Sequence, residues 1–275
     1  MTTAHKPSMS EFFNWNRHPF TDTYTLAQPF VGGRDARLTD RCISLLRCGK
    51  SFAVTGASGT GKSTLVGHMT AGLDPNYYRP TLVPYGGLKR SGILRAVADE
   101  LGVDTAGRAV PILVKLQKHI TGMAAEANAR YPVFVIDDAQ LMERESMMDL
   151  CSMMVSPQKK TAAASLILVG DETLAKTLGL HAMIPIRTRL TGIFAMTSLD
   201  EAESHEFIAY RLLQAKAPDS LFDTDARDII ASHCRGNRRQ IMNVATLLLD
   251  EAYHRHEKTV GSQLILSSDL MDISG

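Results

Sequence analysis

Eight consecutive residues, Gly56-Ala57-Ser58-Gly59-Thr60-Gly61-Lys62-Ser63, come just after the apolar run Ser51-Phe52-Ala53-Val54 and match the spacing G-x-x-x-x-G-K-[ST] throughout. This stretch constrains the fold more than any other, because the pattern works only as a loop between a buried strand and a helix. Its glycines let successive backbone N–H groups curl around a phosphate chain, and the helix that follows turns its N-terminus toward the same anion. In such a loop Lys62 reaches the β- and γ-phosphates, Ser63 holds Mg²⁺, and Thr64 continues into the helix. Gly56, Ala57, Ser58, Gly59, Thr60, Gly61, Lys62, Ser63 and Thr64 are therefore the expected site for ATP with Mg²⁺.

The surrounding chain reads as the fold that carries such a loop. Short apolar runs at Ser51 to Val54, Thr81 to Pro84, Pro132 to Ile136, Ser165 to Val169 and Gly192 to Met196 alternate with helical spacing over Ser91 to Leu101, Ile112 to Ala129 and Met142 to Val155. Strands alternating with helices predict a parallel sheet covered by helices. After Thr197 the pattern becomes helical only, with stretches at Glu201 to Gln214, Thr224 to His233 and Asn237 to His254. The fold expected is an α/β P-loop NTPase core with helices on both faces of its sheet, then a small all-helical lid. Its boundaries are an N-terminal segment at 1–50, the core at 51–197 and the lid at 198–275.

Composition narrows the setting. The 275 residues carry a formal net charge of +1, so any nucleic-acid surface must be a local patch. The four cysteines are far apart without a C-x-x-C pair, which suits reduced thiols better than disulfides or zinc. The N-terminus lacks an apolar leader, and no stretch reaches the roughly 18 apolar residues of a membrane span. The expectation is a cytoplasmic protein without a membrane partner.

Further residues have the types the chemistry needs. Val133-Phe134-Val135-Ile136-Asp137-Asp138 has the form of a Walker B strand, an acid at the end of a buried strand beside the P-loop. Asp137 is the expected Mg²⁺-side carboxylate and Asp138 the group that polarises the attacking water, a position that commonly holds Glu. Asp171, after the strand at Ser165 to Val169, is placed either as a γ-phosphate sensor or as the cap of the next helix. Arg187 and Arg189 precede the last strand and are candidates for fingers reaching a neighbouring subunit's γ-phosphate, or for surface ion pairs. In the lid, Arg238 and Arg239 open a helix whose dipole they oppose, so something else keeps them there. Spacing favours Arg239 for folding over the nucleotide, with Arg238 in reserve and a DNA-phosphate contact as the rival role. Lys89 and Arg90, beside glycines, are candidate DNA-phosphate contacts or a solvated helix start.

The assembled order of motifs resembles the AAA+ ATPases. Within them, Phe12-Phe13-Asn14-Trp15-Asn16-Arg17-His18-Pro19-Phe20 resembles the F-F-x-x-x-x-x-P-F start of the ExeA-like (general secretion pathway protein A) group, where it lies beside the nucleotide. Gly72-Leu73-Asp74-Pro75, Asp138-Ala139-Gln140-Leu141 and Leu168-Val169-Gly170 agree with it. The resemblance covers about Phe12 to Leu264. Secretion-type members continue into a transmembrane segment, whereas this sequence stops near Gly275. It is thereby closer to the stand-alone ATPases encoded with transposases, kin in role to the MuB, TnsC and TniB helpers. That resemblance implies a homo-oligomer, ring or filament, assembled on double-stranded DNA and regulating a transposase or target-site delivery. The alternative it leaves is a cytoplasmic secretion or pilus-assembly ATPase acting on a protein partner without DNA.

Overall fold

A computed structural model describes residues 7–23, 28–83, 87–106, 110–123, 130–156 and 160–268. The expected strand residue Pro84 and the helix end at 124–129 lie outside them. The chain divides into two compact units, one of Met1–Gly32, Gly59–Gly61 and Thr197–Gly275, the other of Gly33–Ser58 and Lys62–Met196. The first begins with the short helix α1 (Met9–Phe13), fixed by a capping box in which the Ser8 hydroxyl accepts from the Glu11 backbone N–H and the Glu11 carboxylate accepts from that of Ser8.

The second unit runs α2 (Gly33–Arg47), β1 (Ser51–Thr55), α3 (Lys62–Ala71), β2 (Tyr78–Val83), α4 (Arg90–Leu101), α5 (Ile112–Met123), β3 (Tyr131–Ile136), α6 (Arg144–Met153), β4 (Ser165–Gly170), α7 (Glu172–Gly179), α8 (Ile184–Arg187) and β5 (Leu190–Ala195). The strands form one sheet in the order β2-β3-β4-β1-β5, every pairing parallel. Strands covered on both faces need continuous apolar runs, and β3 and β4 are buried almost end to end. β2 starts earlier than its apolar run suggests, because Tyr78, Arg79 and Pro80 pair with Tyr131, Pro132 and Val133. At the sheet's edge only one side of β2 is hydrogen-bonded, so Pro80 is tolerated. β4 lies between β3 and β1, which brings Thr55 beside Gly170 and Ile136 beside Leu168. At about 4.8 Å per strand, the C-terminal ends of β1 and β3 are about 10 Å apart with the end of β4 between them.

In the first unit α1 is joined by α9 (Glu201–Ala215), α10 (Thr224–Cys234), α11 (Arg238–His254) and α12 (Ser262–Leu266). Asp200, Asp223 and Asn237 cap α9, α10 and α11 with side-chain oxygens. Gly236, at φ +69, carries the chain between α10 and α11, where a Cβ would run into the Leu199 carbonyl oxygen. The core of this unit combines Phe207, Ile208, Leu212, Ile230, Ile241, Ala245 and Leu248 with Phe13, Trp15 and Phe20 from the N-terminal segment. Phe13 stacks on Trp15 at 4.9 Å between ring centres, and Phe20 meets Phe222 edge to face at 5.7 Å. Burying each such ring contributes about 2 kcal/mol or more. Phe13, Trp15 and Phe20 are thus part of the helical unit's core with Phe12 packed against it, and the division falls at Gly32 and Gly33, where the sequence suggested 50 and 51. His18, within that segment, accepts from the Phe20 N–H on Nδ1, and burial, helped by Arg211, holds its pKa below the usual histidine value.

All four cysteines are free; burial pushes Cys42 and Cys234 up to about 12 and Cys151 up to about 11, which removes them from thiolate chemistry. Among the described residues no helix is long and apolar enough to cross a membrane, and no group of His, Cys, Asp and Glu is arranged to hold a metal through three or more of these side chains.

Candidate nucleotide-binding site

The loop after β1 is built on glycine. Gly56 has φ +154, and a Cβ there would strike the carbonyl oxygen of Met196, whose N–H is bonded to the Thr55 carbonyl at 2.7 Å. Gly59 and Gly61 also have positive φ, at +81 and +93. Lys62 is buried and folds back into the loop, its Nζ donating to the carbonyl oxygens of Gly56 at 2.9 Å and Ala57 at 2.8 Å. The first turn of α3 follows immediately, so a cation, a helix N-terminus and a left-handed backbone coincide, as a polyphosphate requires.

Ser63 and Asp137, distant in sequence, line one cavity of about 130 Å³ with Gly67, Thr70, Leu82 and Val169. A hydroxyl and a carboxylate are hard oxygen ligands, and this pair fits Mg²⁺, which takes one or two protein oxygens and keeps the rest for water and phosphate. The Asp137 N–H extends the β2–β3 ladder to the Val83 carbonyl at 3.1 Å, while its Oδ1 accepts from the Asp138 N–H at 2.9 Å. At Asp138 the backbone turns left-handed, φ +50 and ψ +38, so the two adjacent acids separate: Asp137 lines the cavity and Asp138 is exposed. Asp tolerates this conformation better than Glu, because its short side chain can bond locally, which gives a physical reason for the shorter acid here.

Gln140 stands in the run Asp138-Ala139-Gln140-Leu141 that carries part of the resemblance, but sequence reasoning assigned it no role. Its Nε2 donates to Asp138 Oδ1 at 3.0 Å and its Oε1 accepts from the Asp171 backbone N–H at 3.2 Å. Nothing in its residue type marked it; only the turn Ala139–Leu141 brings it to the end of β4. Asp171 itself caps α7, one carboxylate oxygen accepting from Thr173 N–H at 2.7 Å and Leu174 N–H at 3.3 Å. Of the two roles open to Asp171, the helix cap is the one its hydrogen bonds display.

Arg187 and Arg189 lie far from the P-loop of this chain. Leu190 pairs with Ser51 at the start of β1, a whole strand of five residues, about 16 Å, from the loop at its other end. Arg187 is exposed and donates to the Gly179 carbonyl at 3.2 Å; Arg189 lines a separate cavity of about 260 Å³ with Lys50 and Lys160. Arg90 is exposed at the start of α4, and its guanidinium forks onto Asp149, Nε to Oδ2 at 2.6 Å and Nη2 to Oδ1 at 2.9 Å. Lys89 stands exposed at the N-cap of α4 with no side-chain capping bond.

Within the helical unit, Gly59–Gly61 meet the start of α11. The Arg239 N–H donates to the Gly59 carbonyl at 3.2 Å while its side chain is exposed. Arg238 is the buried one, 8 % exposed, and its Nη1 donates to the Thr60 carbonyl. Arg238 thus turns its guanidinium onto the loop, and Arg239, favoured by spacing, is bonded to the loop through its backbone N–H.

Residues 47–178 match the family model of the AAA domain. The fold is similar to that of the Aeropyrum pernix ORC2 protein in its ADPNP–ADP complexes, at 15% identity over 94% of this chain and 71% of that chain, TM-score 0.69. It is also similar to the Aeropyrum pernix ORC1 protein in complex with DNA, at 13% identity over 90% and 67%, TM-score 0.68, and to a RuvB variant of Thermotoga maritima, at 16% identity over 89% and 70%, TM-score 0.59. No curated protein matches the chain. The chain thus has the P-loop AAA+ fold of the structures it is similar to, a five-stranded parallel sheet followed by a C-terminal helical region.

Proposed function

We propose that the protein binds and hydrolyses ATP with Mg²⁺, assembles as a homo-oligomer on double-stranded DNA in the cytoplasm, and regulates a transposase or the delivery of its target site. The observation that carries the ATPase reading is the convergence of a P-loop, a buried lysine and the Ser63–Asp137 cavity at the C-terminal ends of β1 and β3, with β4 between them. Gly56 to Thr64 bind the phosphates, with Lys62 on the β- and γ-phosphates in place of the loop carbonyls it now contacts. Ser63 and Asp137 would hold Mg²⁺, which when bound would supply charge to offset that of the phosphates. Asp138 orients the water that attacks the γ-phosphorus; the bond from that phosphorus to the β–γ bridging oxygen breaks, giving ADP and phosphate. Arg238, through its place on the Thr60 carbonyl, is the lid arginine of this reading.

Arg187 and Arg189, a strand's length from their own loop, act on a neighbouring subunit's nucleotide. DNA as partner is supported by the fold's likeness to a protein solved with DNA, and the transposition role by the sequence's resemblance to transposition helpers. Lys89 and Arg90, both exposed at the start of α4, are the phosphate contacts of this reading, with Arg90 also paired to Asp149. The test is ATPase rate against protein concentration with and without duplex DNA. Stimulation that rises cooperatively and falls steeply with salt is expected, because phosphate contacts release counterions. A flat, DNA-independent rate contradicts the DNA role and turns the reading to the protein-directed ATPase.

A further inference from the structure

One side-chain amide links the water-orienting acid to the strand beside the P-loop. Gln140 donates from Nε2 to Asp138 Oδ1 at 3.0 Å and accepts on Oε1 from the Asp171 N–H at 3.2 Å. An ionised carboxylate only accepts and a backbone N–H only donates, so a single orientation of the amide satisfies both. The space is fitted to it: a Cβ on Gly170 would stand 2.7 Å from Gln140 Oε1, so glycine at the end of β4 admits the amide. Ala139, fully buried, anchors the turn on which Gln140 sits. Asp138 is otherwise an exposed aspartate on a left-handed residue, and no other side chain is bonded to its carboxylate among the described residues.

We propose that Gln140 is a positioning residue for hydrolysis: its amide sets the direction of the Asp138 carboxylate and couples it to the end of β4, the strand end that adjoins the P-loop. The proposal rests on the ATPase reading above. It makes the shorter acid workable, because a carboxylate held by a fixed donor does not have to find its direction anew in each turnover. It also links the Asp171 backbone, and with it the N-cap of α7, to the acid without using the Asp171 carboxylate.

The test uses two variants of nearly the same size. Gln140→Glu keeps the acceptor for the Asp171 N–H but replaces the donor with a second carboxylate oxygen facing Asp138. Gln140→Leu loses both bonds. A hydrogen bond to a charged group is worth about 1.5–3 kcal/mol, so kcat of Gln140→Glu falls about tenfold or more, while ATP affinity and melting temperature stay near those of the wild type. In an Asp138→Ala background the residual single-turnover rate shows no further loss, since Gln140 acts through Asp138. Independently of activity, hydrogen exchange at the Asp171 amide in nucleotide-free protein is protected in wild type and Gln140→Glu and about tenfold or more faster in Gln140→Leu. A Gln140→Glu kcat within about twofold of wild type, an equal loss in the Asp138→Ala background, or unchanged Asp171 exchange in Gln140→Leu each overturns the proposal. If the wild type cleaves no ATP, the ATPase reading beneath it falls, and the exchange measurement still shows separately whether the amide bridge exists.

Discussion

Arg238 and Arg239 are neighbours at the N-terminus of α11, where both oppose the helix dipole, yet only Arg238 is buried. Its burial is legible after the fact. Arg238 lies three residues before Ile241 and seven before Ala245, on the stripe that continues through Leu248 and Ala252, whereas Arg239 falls off it. Spacing from the glycine favours Arg239, whereas the apolar period puts Arg238 on the buried face of the helix. Arg238→Ala is expected to weaken ATP binding about tenfold or more, with Arg239→Ala within about twofold of wild type, as measured by titration with a labelled nucleotide. The reverse order would return the role to Arg239. Arg90 teaches the opposite lesson, because its partner Asp149 stands on another helix and no local signal in the sequence pairs them.

At the scale of elements, the strands were the most readable part, since a buried parallel strand must be an unbroken apolar run. The start of β2 was missed for the same reason: an edge strand can carry Arg79 and Pro80. The turn Ala139–Leu141 was missed because three residues have no period to detect, and with it went Gln140. The short helix α8 and the start of β5 carry Arg187 and Arg189 to the end of the sheet away from the P-loop. From this position a role in trans makes a prediction. An Arg187→Ala, Arg189→Ala double variant loses most of its ATPase activity, and mixing it with Lys62→Ala subunits restores part of it at interfaces where an intact P-loop faces intact arginines. No recovery at any mixing ratio would leave both residues as surface charges.

For the molecule as a whole, the sequence divides by pattern and the structure divides by core. The N-terminal aromatics Phe13, Trp15 and Phe20 share a core with helices some 200 residues away in the chain, a pairing that no local period can reveal. The P-loop spacing was legible because polyphosphate binding needs backbone geometry that only a few residues can adopt. The account's central claim is that Lys62 binds ATP and Asp138 cleaves it. The most direct measurement is ATP retention together with phosphate release for wild type, Lys62→Ala and Asp138→Ala. Wild type is expected to bind and cleave, Lys62→Ala to do neither, and Asp138→Ala to hold ATP with only a small residual single-turnover rate. Wild-type turnover in Asp138→Ala, or undiminished ATP binding in Lys62→Ala, would contradict it.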